Sequence, residues 1–101
     1  MSRVLYEVVA TVHQPEQADA WVRWMLNEHI AEVVRAGAVS GRLIRLTDSQ
    51  HTFVSQYEFD SRAALDEYLA RRAPELRADG ARRFPPSSVS YARRTGDIIE
   101  R

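Results

Sequence analysis

The chain has 101 residues, 14 basic and 14 acidic, for a formal net charge of zero, with 45% hydrophobic and 28% charged positions. That mixture suits one globular domain and excludes a disordered chain, and the neutral balance lacks the broad basic field of a nucleic-acid binder. Cysteine is absent, which removes disulfides, thiolate nucleophiles and cysteine-ligated zinc together.

Every basic residue is arginine. Arginine offers a planar fork for phosphate or carboxylate, yet a coding bias toward arginine explains the same set more plainly. No apolar run reaches the ~20 residues that span a bilayer, and the N-terminal stretch has no signal region, so a cytoplasmic protein without membrane contact is expected. A chain this short buries about 65% of its unfolded surface, which keeps its core modest.

Residues 3–13 read as a strand. Val4, Tyr6, Val8, Ala10 and Val12 fall on one wholly apolar face, and Leu5, Glu7, Val9, Thr11 and His13 on a mixed one. Pro15 suits the first turn of a helix that runs to Gly37, its left-handed stop. At 100° per residue, Ala18, Trp21, Val22, Met25, Leu26, His29 and Val33 form the buried stripe, with Trp24 at its flank. Residues 39–47 and 51–59 read as a hairpin across Asp48-Ser49-Gln50, with Gly41 a bulge or a close approach. In the second of these strands Phe53, Ser55, Tyr57 and Phe59 oppose Val54, Gln56 and Glu58.

Asp60 or Ser61 caps the next helix, whose stripe is Leu65, Tyr68 and Leu69. Pro74 interrupts it and starts a second helical segment, ended by Pro85-Pro86. Residues 87–95 read as a last strand, and residues 96–101 as a tail. The β-α-β-β-α-β order predicts a single α+β domain over residues 1–101, a ferredoxin-like four-stranded antiparallel sheet with both helices on one face. The other face then lies open. Its apolar positions favour a homodimer that packs sheet on sheet, with Gln56 and Glu58 lining a hydrated space between the two copies.

Trp21-x-x-Trp24-Met25, Glu28-His29-Ile30-x-x-Val33 and Gly37 resemble the first-helix signature of a small uncharacterised bacterial family, DUF4286. Gln56-Tyr57, Leu65-x-x-Tyr68, Ala73-Pro74-x-Leu76-Arg77 and Arg83-Phe84 resemble the rest of its pattern. Pro85-Pro86 departs from it, where glycines are expected. The resemblance implies the dimeric α+β barrel superfamily. That group includes cofactor-independent monooxygenases, small isomerase-like lactone enzymes, haem-dependent peroxidases and proteins without a known reaction. It implies fold and dimer, and no particular activity.

His29 stands where the stripe calls for an apolar residue. Either it is a general base or ligand contact facing a pocket, or it is a core histidine that holds neighbouring groups in place. Aromatics at helical spacing are usually core, as Trp21 is; Trp24, at the flank, is either core as well or a pocket wall or dimer contact. Gln56 faces the space between the sheets, with Glu7 or Glu58 beside it. A carboxylate there pairs with an arginine such as Arg42 or Arg93 from the partner, or serves acid/base chemistry. No metal is expected, since His13, His29 and His51 are far apart and Glu28-His29-x-x-Glu32 is not the HExxH arrangement. No cofactor is expected either: haem enters by superfamily analogy alone, and there is no glycine-rich phosphate loop or Gly-x-Ser-x-Gly elbow. The strand at 51–59 lacks the basic and aromatic start of an RNA-recognition module, so no nucleic-acid partner is expected. The arginines between 71 and 83 read as a solvated helix face.

These readings converge on a homodimer that binds a small organic molecule at Trp24, His29 and Gln56 or acts as an interaction module. The alternative is a cofactor-independent, monooxygenase- or isomerase-like enzyme with His29 as its acid/base and Trp24 and Gln56 positioning the substrate.

Overall fold

In the computed structural model, which describes residues 3–100, four antiparallel strands form one sheet in the order β2-β3-β1-β4. They are β1 (Val4–Val12), β2 (Ser40–Arg45), β3 (Thr52–Phe59) and β4 (Val89–Asp97). The most apolar strand, β1, lies between β3 and β4. The chain has the expected ferredoxin-like α+β order. No helix among the described residues is long and apolar enough to cross a membrane.

The first helical stretch opens with a 3-10 turn at Pro15–Gln17. It then runs as α1 (Ala18–Trp24), a π-helical turn (Met25–His29) and α2 (Ile30–Arg35). The π turn is closed by the Ile30 N–H donating to the Met25 carbonyl, five residues back. Gly37, at φ +134°, ends the stretch, and the Ala38 N–H donates back to Val33 O at 3.2 Å. Ser61 caps α3 (Arg62–Arg71) by accepting from the Ala64 N–H at 3.1 Å. A bend at Arg72 leads into α4 (Ala73–Arg83), with Pro74 in its first turn.

The uniform 100° stripe is corrected in two places. Leu26 is 59% exposed, whereas Trp24 is buried at 7%. The wider π turn rotates every later residue back toward the Trp21–Trp24 side. Carrying an unbroken α period as far as Val33 therefore moves the apparent centre of the stripe onto Leu26. The last strand also runs further than residue 95: Gly96 and Asp97 pair with Leu5 and Val4. The remainder of the tail ends on Arg101, outside the described residues.

Between sheet and helices the core is divided in two. One cluster joins Val4, Tyr6, Tyr57 and Phe59 to Val33, Leu65, Tyr68 and Leu76. The other joins Ala10, Val12, Phe53 and Val89 to Trp21, Trp24, Met25 and Phe84. Burial of each large side chain contributes about 1.5–3 kcal/mol, so both clusters hold the helices firmly on the sheet. The sheet's other face has no helix on it. There Ile44, Val54, Val9 and Ala92 lie in register as an apolar row across all four strands. The neighbouring row is polar: Arg42, Gln56, Glu7 and Arg94.

Candidate functional site

The two core clusters are bridged by Ile30, which packs against both. A cavity of about 380 Å³ nevertheless remains between the sheet and the helices, lined by residues of both clusters. Its floor is the helix-facing side of the sheet, where the pleat aligns Tyr6, Val8 and Ala10 of β1 with Ser55 and Tyr57 of β3. One wall comes from α1 and the π turn through Trp21, Trp24, Met25 and His29. The other is the face of α4 that repeats every turn: Leu76 and Gly80, Arg77 and Ala81, then Phe84. Tyr91 and Arg93 of the edge strand β4, with Pro86 before it, complete the lining.

Trp24 and His29 reach the cavity together because of the π turn. Five residues apart on an α-helix of 3.6 residues per turn, they would lie about 140° apart. Here their rings lie in contact, centroids 4.8 Å apart and tilted by 33°. Phe84 flanks the indole at 5.7 Å. Gly80 accounts for the close approach of α4, since a Cβ there would stand 3.1 Å from Trp24 Cη2. A mid-helix glycine costs about 1 kcal/mol relative to alanine, and at this position it makes room for the tryptophan.

The polar groups of the cavity are shaped by burial. Burial lowers the His29 pKa to about 4, Asp79 pulls it back up, Arg93 pushes it down and Glu32 raises it again. Burial thus favours the neutral imidazole near pH 7, a hydrogen-bond acceptor and only a weak base. Tyr57 is 1% exposed, and burial holds its phenol well above the usual tyrosine range although Ser55 acts in the opposite direction. Although Ser55 lies near enough to lower its pKa, its hydroxyl meets no partner at full hydrogen-bond geometry among the described residues, a costly state for a buried polar atom. Burial likewise pushes Tyr68 up to about 12. Tyr91 is raised by burial, and its hydroxyl accepts from Trp21 Nε1 at 3.1 Å. Arg77 donates to the Tyr6 hydroxyl at 3.1 Å, and Arg93 lies over the Tyr91 ring at 5.2 Å.

Gln56 is elsewhere. It sits on the opposite face of the sheet, accepting from Arg42 Nε and donating to Glu7 Oε1, each at 2.9 Å. There it borders a shallow hollow with Leu5, Arg42, Glu58 and Ile98. Glu7, only 5% exposed, also accepts from Arg94 of its own chain. The Gln56 hydrogen bond lowers its pKa most, burial opposes that, and Arg94 lowers it further. The arginine expected there from the partner is therefore supplied within the chain, by Arg94. Arg93, one residue earlier in β4, turns to the helix side, as strand alternation requires.

Sequence reasoning singled out Trp24 and His29 and missed Arg77, Gly80, Tyr91 and Arg93. The alternation Val89-Tyr91-Arg93 carried a usable signal, because it puts an arginine on an otherwise buried face. Most of the other helical arginines are ion-paired on the surface, Arg71 with Glu67, Arg72 with Glu75, and Arg82 and Arg83 with Asp79. Among the described residues no group of three or more His, Cys, Asp or Glu side chains gathers to hold a metal ion.

No curated protein matches the sequence. Several solved structures share its fold. One is SnoaB from Streptomyces nogalater, described as a cofactor-independent oxygenase, with a TM-score of 0.72, 16% identity, and coverage of 100% of this chain and 97% of that one. A dimeric ferredoxin-like protein from an uncultured marine organism has a TM-score of 0.75 and 8% identity, over 99% of this chain and 97% of the other. Protein SO0527 from Shewanella oneidensis has a TM-score of 0.70 and 19% identity, over 97% and 93%. These likenesses concern the fold. At the level of sequence, the match to the model for the domain of unknown function DUF4286 extends over residues 3–98, and the chain belongs to that family.

Proposed function

We propose that the protein binds a small organic molecule in the cavity between its sheet and helices, as a homodimer joined through the open sheet face. The observation that carries this reading is the cavity itself. A chain of this size gains stability by closing its core, yet about 380 Å³ is left between two clusters that could otherwise pack more closely. That volume is within the usual range for ligand sites, and aromatic walls with a few convergent polar groups are their usual lining. Trp24 and His29 are the contacts assigned to the ligand on the helix side. Gln56, across the sheet, belongs to the dimer face in this reading.

The test is a thermal-shift screen of small aromatic and lactone compounds on the wild-type chain and on Val8→Phe, which fills the cavity floor. A ligand at 100 times its Kd stabilises by about 2.7 kcal/mol. In a domain this size that raises Tm by about 13 °C. A concentration-dependent rise in the wild type that disappears in Val8→Phe is expected. No rise with any compound would leave a dimeric interaction module as the better account.

An enzymatic reading is favoured by one feature, the neutral imidazole of His29 beside the cavity, and it fits the fold shared with an oxygenase that needs no cofactor. Here His29 takes a proton from the bound molecule and Trp24 holds the ring of the substrate. Its mark is a His29→Gln variant that still binds but no longer converts the molecule. Equal conversion by variant and wild type sinks it.

A further inference from the structure

The 21 residues that line the cavity include two arginines and not one aspartate or glutamate. Elsewhere the chain neutralises its charge carefully, with zero net charge overall and surface arginines mostly held by carboxylates. Arg93 and Arg77 form no ion pair among the described residues, as is also true of Arg23, Arg42 and Arg45, but these two line the cavity. Among the described residues their partners are neutral: the ring of Tyr91 for Arg93 and the hydroxyl of Tyr6 for Arg77. Two guanidinium groups therefore line the aromatic cavity without a carboxylate partner among the described residues.

From this charge pattern we infer that the ligand is a planar aromatic carboxylate, bound with its ring between Trp24 and the tyrosine floor and its carboxylate at Arg93 and Arg77. The inference rests on the cavity reading above and narrows it to one chemical class. A guanidinium offers paired N–H donors that match both oxygens of a carboxylate, and such charge-assisted bonds are roughly twice as strong as neutral ones. The lining offers aromatic surface from the sheet through Tyr6 and Tyr57, which stack on each other at 6.0 Å, and from the helix side through Trp24. The buried hydroxyl of Tyr57 in the floor, which meets no full hydrogen-bond geometry among the described residues although Ser55 lies near, adds a second pointer: a carbonyl or hydroxyl on the ring system would satisfy it. The two guanidinium groups also raise the local concentration of an anionic ligand.

Calorimetric titration of the wild-type chain at pH 7 with 2-naphthoate and with the neutral isostere 2-naphthalenemethanol tests the inference. Naphthoate is expected to bind at least about tenfold more tightly. Arg93→Gln, at an exposed position of an edge strand and checked for folding by circular dichroism, is expected to abolish that preference while keeping affinity for the alcohol. Equal binding of the two probes by the wild type, or an unchanged preference in Arg93→Gln, overturns the carboxylate assignment and leaves the cavity reading standing. If neither probe binds up to millimolar concentration, both are overturned.

Discussion

At the residue scale, His29 is the side chain whose setting has the clearest physical consequence. In the unfolded chain an imidazole takes up its proton near pH 6.5, whereas burial holds the folded one neutral down to about 4. Above pH 6.5 both states carry the same charge, and the neutral burial of His29 costs no protonation energy. Between pH 6.5 and 4 the unfolded state binds the extra proton, so stability falls as pH falls through that window, by at most about 3 kcal/mol. Urea unfolding at pH 7 and pH 5 should show this loss, and His29→Gln should flatten the difference between the two. An equal slope in wild type and variant would mean that the imidazole is hydrated in the folded state. That a histidine interrupts an apolar stripe was legible in the sequence. Its contact with Trp24 was not, because that contact depends on a turn geometry that periodicity assumes away.

At the element scale, the π turn and two glycines set where the helices lie. The turn inserts one residue's worth of rotation between Trp24 and Ile30, which is why an unbroken α period put Leu26 inside and Trp24 at the edge. Gly41 in β2 was legible as a point of close approach, and its neighbours are now identified. A Cβ there would come within 2.9 Å of both Ile30 Cγ2 and Tyr57 Cδ1. Both neighbours are packed side chains, so Gly41→Ala is expected to destabilise by about 1–3 kcal/mol through overpacking. Chemical denaturation checks this, and an unchanged midpoint would show that Ile30 yields freely. The strands themselves were readable because alternation of two is rigid. The same rule, applied one residue further, separates Arg93 on the cavity side from Arg94 on Glu7.

At the scale of the whole molecule, the open face carries the apolar row Ile44-Val54-Val9-Ala92 beside the polar row Arg42-Gln56-Glu7-Arg94. The apolar row gains by burial against a second copy. The polar row is already hydrogen-bonded within the chain, so it can enter an interface without leaving charges unpaired. Light scattering at micromolar concentration is expected to give twice the 11.6 kDa chain mass. Val9→Asp, which places a charge in the apolar row, should return it to the single-chain value. A wild-type mass of 11.6 kDa would overturn the homodimer.

The sequence by itself determined the order of elements, the antiparallel hairpin, the helix caps and the division of each strand into two faces. All of these follow from local rules of spacing and backbone preference that act within a few residues. Only the tertiary structure decided that the core splits into two clusters around a cavity, that Trp24 and His29 share one wall, and that Arg77 and Arg93 both line it. Those outcomes depend on how a widened helical turn and a glycine-bearing α4 settle over the sheet, and packing between elements distant in the chain leaves no periodic trace in either one alone.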